Sequence, residues 1–452
     1  MQNSVCPMRG GIYEDTRMDM VRQRQREIVV GMDAHSVKLA LFIGEKESDG
    51  NVLRIGEVAT TVAALEATYR GQVPPGAVTY LEASTNSFSI AGRLRAIGYE
   101  AVVLQAEAVC GEAKRDRISD RVDAESIARY GARKRRQSDV WVPDARTRAR
   151  RGLWRLYEDA VREYRRAYNR LWNYTSQHAL PLLGSFVEVP GSVRRHRVTP
   201  ADVRRAAGTR NWPAAETANL DWLAGRLDLR RKEAAELAGR IRGAVASDPA
   251  VLRLTQLVGV GPLVAFGLAA AVGDVRRFPD SKALVRYVGL NPSECSSGED
   301  GGVHAISHGG IPYVRQLLCE AAQCALVTGG EAMHKWARRK RAEGKEGNKI
   351  VCALARKTLA YAWHVLMGHP TPHAEPSDLY RRKLLRFGKE IGLKGLQKLG
   401  HASIPDFARA VCAQVYPDAK DPDCRHPSGT GTSGATMAAA SPTMGQPAAV
   451  TA

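Results

Sequence analysis

The stretch EIVVGMDAHSVKLALFIG (27–44) decides the fold. Its first part, EIVVGMD (27–33), is an apolar run that ends on a carboxylate, and it reads as a buried strand. KLALFIG (38–44) follows as a second strand. ESDGN (47–51) supplies turn residues, and VLRIGEVAT (52–60) a third strand. Helical pattern covers roughly 61–72; AVTYLEAS (77–84) reads as a fourth strand and EAVVLQA (100–106), after a short helix, as a fifth. Three hairpin-like strands followed by alternating helix and strand predict a mixed α/β sheet.

Beyond about residue 141 the period changes. Trp154, Tyr157, Val161, Tyr164, Tyr168 and Leu171 follow a heptad spacing, as do Leu220, Leu223, Leu227, Arg230, Ala234, Leu237 and Ile241. The two runs predict long helices that pack as an antiparallel coiled coil or serve as a dimer arm. LTQLVGVGPLVAFGLAAAVG (254–273) is uncharged and long enough to raise a membrane-spanning reading. Its glycines and Pro262 favour a buried turn between two helices. The turn Gly259-Val260-Gly261 has the look of a helix-hairpin-helix, in which backbone amides meet a phosphate; a glycine packing turn reads the same. Helical pattern returns at 311–327 and 350–367, and after Tyr416 the chain is low-complexity and reads as disordered.

The 452 residues suffice for two or three domains. Lys and Arg number 66 against 47 Asp and Glu, a net charge of +19. Such an excess predicts a polyanionic partner, by steering and counterion release. Between Lys114 and Arg170 there are 18 basic and 9 acidic residues, so the charge is also clustered. Nucleic acid fits better than a membrane, since no amphipathic basic helix with a bulky apolar face stands out. The cysteines at 6, 110, 295, 319, 324, 352, 412 and 424 form no CxxC pair. That argues against a zinc site and suits reduced thiols in a cytoplasm. The first twenty residues lack the apolar core of a signal peptide.

Four carboxylates stand at telling places. Asp33 ends the first strand, Glu82 ends the fourth, and Asp120 and Asp123 open a helix in SDRVDAESIA (119–128). Residues i and i+3 share a helical face, so the last two can point at one spot. Taken singly, each has a plain explanation as a turn residue, an N-cap or a partner of the helix dipole. Taken as an ordered set they suggest a cage of hard oxygen ligands for magnesium or manganese. Two such ions can clamp the attacking and leaving oxygens of a phosphodiester exchange.

GMDAHSVK (31–38), YLEAS (80–84) and SDRVDAESIA (119–128) resemble motifs of the DEDD-type insertion-sequence transposases, the bridge-RNA-guided recombinases related to Piv-type DNA invertases. LVGVGPLVAFGLAAAVGD (257–274), RFPDSKALVRYVGLNPSECSSGEDGG (277–302) and ISHGGIPYVRQLLCEAA (306–322) resemble the C-terminal part of that family. The resemblance runs from about 27 to 370. It implies an RNase H-like (RuvC-like) domain (26–140), a coiled-coil region (141–248) and a C-terminal transposase domain (249–370), mostly helical with a helix-hairpin-helix-like element, while residues 1–25 read from their polar composition as a flexible arm. A helical extension (371–415) and a disordered tail (416–452) lie outside the resemblance.

Carried over position by position, the resemblance implies an acidic tetrad of Asp33, Glu82, Asp120 and Asp123 that binds magnesium or manganese, and a serine nucleophile at Ser297. Ser296 is the near neighbour and Ser293 a poorer match. Implied partners are DNA at the element ends and target, a structured non-coding bridge RNA, and further copies of the chain, as a dimer or a synaptic tetramer. The implied setting is the bacterial cytoplasm, with the nucleoid during action. Candidate phosphate contacts are Arg115, Arg117, Arg121, Arg133, Lys134, Arg135, Arg136, Gly259, Gly261, His308 and Arg315. The family commonly carries a lysine where this chain has His308. Two other readings stay open: a metal-dependent nuclease or resolvase that uses water alone, and a non-enzymatic nucleic-acid binder.

Overall fold

The computed structural model describes residues 28–45, 52–106, 120–133, 139–177, 213–292, 306, 309–369 and 374–416. The chain divides into two compact units, residues 1–159 with 269–274, and residues 160–268 with 275–452.

The first unit is built on a mixed sheet. Strands β1 (Ile28–Ala34), β2 (Lys38–Glu45) and β3 (Val52–Ala59) form an antiparallel meander. β4 (Val78–Glu82) is parallel to β1, and β5 (Glu100–Leu104) is parallel to β4. β6 (Asp139–Val140) closes the edge antiparallel to β5, giving the order β3-β2-β1-β4-β5-β6. β6 was not expected, because two residues leave no alternation to read. Helices α1 (Val62–Gln72) and α2 (Ser87–Ala96) follow β3 and β4.

Strand alternation sorts the two faces. Val30, Met32, Leu39, Leu41, Ile43, Leu81 and Val103 point to one side, where they pack with Leu65 and Tyr69 of α1 and Ile90, Ala91 and Leu94 of α2. Thr79, fully buried on this side, meets the Tyr69 hydroxyl at 3.0 Å, so neither polar group is left unsatisfied. Val29, Ala40 and Phe42 point to the other side, against Ala124 and Ala128 of α3 (Asp120–Arg133).

The unit boundary falls within a 33-residue helix, α4 (Ala145–Gln177), whose distal part belongs to the second unit. There it packs against α5 (Ala214–Ala246), burying Ala167 and Leu171 with Leu220, Ala224 and Leu227. Asn219 Nδ2 donates to the Tyr174 hydroxyl at 3.2 Å, and Arg230, bonded to Glu233 at 2.7 Å, also feels the charge of Glu163. Residue numbers that rise on one helix therefore fall on the other, so the pair is antiparallel.

The apolar stretch at 254–273 is split by its glycine turn. α6 (Pro249–Leu254), capped by Asp248, precedes the turn, and the buried α7 (Pro262–Val272) follows it. No described helix is long and apolar enough to cross a membrane. The next described elements of the second unit are helices: α8 (Ser281–Val288), α9 (Pro312–Thr328), α10 (Gly330–Ala342) and α11 (Gly347–Leu366). The C-terminal extension forms α12 (Ser377–Ile391), α13 (Leu393–Lys398) and α14 (Ile404–Val415) around buried Tyr380, Leu384, Phe387, Leu396 and Phe407.

Candidate active site and nucleic-acid interface

Alternation along β1 puts Val29, Gly31 and Asp33 on the α3 side of the sheet; along β4 it puts Tyr80 and Glu82 there. Met32 pairs with Leu81 across the parallel ladder, so the next residues, Asp33 and Glu82, stand side by side at the C-terminal strand ends. Strand ends of this kind are where sites gather in α/β sheets.

α3 brings the third acid. Ala124, Ile127 and Ala128 are fully buried against the sheet, and Asp123, one residue before them, projects at its edge. Two glycines allow so close a seat. A methyl group on Gly31 would lie 1.9 Å from the Ala124 carbonyl oxygen, and one on Gly131 would lie 2.3 Å from the Tyr80 ring. Gly31 and Tyr80 are themselves partners in the β1–β4 ladder. The helix is thus fixed at two points over adjacent strands.

The electrostatics register this convergence. The Glu82 carboxyl is pushed above its ordinary value, first by burial and then by the charges of Asp33 and Asp123. Asp33 Oδ2 accepts a hydrogen bond from His35 Nε2 at 2.8 Å. His35 is held in turn, since its carbonyl accepts from Thr60 Oγ1 and Asn86 Nδ2, both at 3.0 Å. Sequence reasoning passed over His35, which lies just past the end of β1 in a loop whose letters carry no pattern.

Hard carboxylate oxygens that repel one another suit a divalent cation in donor chemistry. Among the described residues, no three His, Cys, Asp or Glu side chains already stand close enough to hold one. Asp120 lies at the first position of α3, and its side chain is outside the described residues.

Ser297 also falls outside them, as do Ser293, Ser296, His308, Arg115, Arg117, Lys134, Arg135, Arg136 and the side chain of Arg121. The ends of the serine-bearing segment are described. Pro292 and Ile306 form an isolated antiparallel bridge. Arg356 Nε donates to the Leu290 carbonyl at 2.9 Å, and Arg315 Nη1 donates to the carbonyls of Val288 at 3.0 Å and Gly309 at 2.9 Å. Arg315, expected at a phosphate, is engaged with main chain at the base of this segment.

The two hairpin glycines differ. Gly259 has φ +78°, and a methyl group there would lie 2.1 Å from the Ala321 carbonyl oxygen, so it is a packing glycine against α9. Gly261 has open space around it and lines a cavity of about 520 Å³. α12 forms the facing wall with Arg382 and Arg386. Beneath them Lys383 Nζ bonds Glu375 at 2.8 Å and the Leu257 carbonyl at 3.1 Å. Arg133 is exposed on the last turn of α3.

Residues 251–337, from α6 into α10, match the family model described as Transposase IS116/IS110/IS902 family. The chain is 27% identical over 306 residues to the y4qE protein of Sinorhizobium fredii, named as a transposase, covering 66% of this chain and 71% of the relative. It is 28% identical over 305 residues to the "Probable family 20 transposase" of Pseudomonas aeruginosa, covering 65% and 85%. A shorter match, 31% over 121 residues, links it to the transposase for insertion sequence element IS1111A of Coxiella burnetii, covering 26% of this chain and 33% of that one. The similarity to the IS116/IS110/IS902 transposase family thus lies in residues 251–337, and about two thirds of the chain is similar to proteins named as transposases.

Proposed function

We propose that the protein is the recombinase of an insertion sequence, cutting and rejoining DNA through Ser297 and an acidic tetrad of Asp33, Glu82, Asp120 and Asp123. The observation that carries this reading is the approach of Asp123 to Asp33 and Glu82 at the C-terminal ends of the central strands, in a chain whose 251–337 segment matches a transposase family. The strand order, with a three-stranded meander joined to parallel strands, is the arrangement expected of an RNase H-like domain. The antiparallel α4–α5 pair is compatible with a coiled-coil arm that joins copies of the chain.

In this mechanism the Ser297 hydroxyl oxygen attacks a scissile phosphorus. A phosphoserine ester forms as the bond from phosphorus to the leaving sugar oxygen breaks, and that oxygen takes up a proton. The serine proton passes to the carboxylate cluster. Attack by a sugar hydroxyl of another strand reverses the step and reseals DNA without ATP, because the ester conserves the bond energy. His35 orients Asp33 through the 2.8 Å bond. The four acids would hold magnesium or manganese, which when bound would polarise the phosphate and ease ionisation of the attacking hydroxyl. A structured RNA of the element would choose the DNA sequences by pairing, which spares the protein from reading base edges.

The test is plasmid recombination with and without the non-coding DNA that flanks the gene. Ser297→Ala abolishes joining and the covalent protein–DNA adduct, while Ser296→Ala retains both. Cleavage that persists in Ser297→Ala at the wild-type rate would instead establish hydrolysis by water.

A further inference from the structure

A strongly basic face lies on α10 and the turn that follows it. Residues 333–349 hold seven Lys and Arg against two Glu, a denser excess than the Lys114–Arg170 segment. The helix is two-sided. Met333 and Ala337 are buried, and Trp336 is half-buried under Lys357, whose Nζ lies 5.4 Å from the ring. Lys335, Arg338, Arg339 and Arg341 are exposed on the helix, and Lys345 and Lys349 continue the surface beyond it.

The two acids do not neutralise this face. Glu343 pairs with Lys340 at 2.6 Å and more loosely with Arg339 at 3.8 Å, and Glu346 pairs with Lys349 at 3.5 Å. Lys335 and Arg341 form no ion pair among the described residues. On the helix Lys335 and Arg339 stand four residues apart and Arg338 and Arg341 three apart, while Lys345 lies past the C-cap at Glu343. Helix neighbours at those spacings stand about 5–6 Å apart. Such cations at close intervals repel one another, and a polyanion that threads along them relieves the repulsion.

We propose that α10 and the 343–349 turn form a binding surface for the sugar–phosphate backbone of duplex DNA, with Lys335, Arg341 and Lys345 as its principal phosphate contacts. The inference rests on the recombinase reading for the choice of DNA; the surface itself rests on charge and exposure. A helix of 13 residues is roughly 20 Å long, enough to follow several phosphates. Met333 and Ala337 anchor its inner side, so α10 presents its Lys and Arg stripe outward, and contacts of such side chains to phosphate carry no sequence information.

The experiment uses the full-length chain in EDTA, with a fluorescein-labelled 30-base-pair duplex and a salt series. In the triple variant Lys335→Gln/Arg341→Gln/Lys345→Gln, the slope of log affinity against log salt should flatten by about 3, roughly one per lost contact. Affinity should drop equally for unrelated duplex sequences. The charge-keeping variant Lys335→Arg/Arg341→Lys/Lys345→Arg should keep the wild-type slope, and an unchanged melting temperature excludes misfolding. A triple variant that melts like wild type and keeps the wild-type slope overturns the proposal. So does a flattened slope on a structured RNA hairpin with none on DNA. Binding in EDTA requires neither Ser297 nor Asp33, so failure of the recombinase chemistry would show separately, in the joining assay.

Discussion

Asp33 and Glu82 stand on neighbouring parallel strands, one residue past the last paired position, and share one face of the sheet. Two carboxylates so placed, with Asp123 arriving from α3, cost the metal-free fold some stability. Asp33→Asn and Glu82→Gln should each lower strand cleavage by at least about 100-fold, since loss of even outer partners of a metal costs 10–100-fold. In EDTA the same variants should melt at or above the wild-type temperature. A variant that melts clearly lower would assign its acid a structural role.

Gly31→Ala should damage the site from a distance. The new methyl group would overlap the Ala124 carbonyl, so α3 must lift from β1 and carry Asp120 and Asp123 with it. The expected cost is about 2–3 kcal/mol in stability. Activity should fall beyond what the unfolded fraction explains, measured at a temperature where the variant is still folded. Gly131→Ala, against Tyr80, should behave alike.

Gly259→Ala and Gly261→Ala should separate packing from binding. The first combines a left-handed backbone with a clash at Ala321, and should cost roughly 2–4 kcal/mol. The second meets open space, so its melting temperature should stay within a degree or two of wild type. If the cavity wall beside Gly261 meets phosphate, only the second variant gives a folded protein with weakened nucleic-acid binding.

Arg315→Ala should lose joining activity without changing the salt slope of DNA binding, because its guanidinium is committed to the Val288 and Gly309 carbonyls. The two bonds together should be worth about 2 kcal/mol. A flattened slope in a stably folded Arg315→Ala protein would restore it to the phosphate contacts.

Alkaline pH should weaken the first unit through Tyr69. Burial pushes its phenol well above the ordinary value of 10, partly offset by the Thr79 bond. In the unfolded chain the phenol titrates near 10, so above that pH the unfolded state holds fewer protons and stability falls as pH rises. Well below pH 10 the contribution is complete. Between pH 10 and 11 the loss should be about 1 kcal/mol, and Tyr69→Phe should remove that part of the slope. Urea unfolding followed at both pH values measures it.

Much of the first unit was legible because strands announce themselves by apolar runs between turn residues. The five longer strands lie within two residues of their expected bounds, and Asp33 and Glu82 are at strand ends as read. The close seating of α3 was not legible: Gly31 and Gly131 look like any glycines until helix and sheet are placed together. His35 was hidden for a similar reason, since a lone histidine in a polar loop carries no pattern. α10 went unread because it falls between the helical patterns at 311–327 and 350–367, and only the burial of Met333 and Ala337 shows which side is free. Arg315 was read as a candidate phosphate contact, and its two bonds to main-chain carbonyls are not legible in a string of letters. Ser297 lies outside the described residues, and periodicity alone does not place it.

The bridge between Pro292 and Ile306 acts as a tether on the proposed nucleophile. Ser297 lies five residues beyond Pro292, and a fully stretched chain spans at most about 3.6 Å per residue, so its Cα falls within roughly 18 Å of that knot. Any set of acids that is to share a phosphate with Ser297, from the same copy or another, must therefore be delivered into that small sphere, which makes the leash length itself an adjustable quantity: glycine insertions between Pro292 and Ser297 should widen the search volume and slow joining while leaving DNA binding intact.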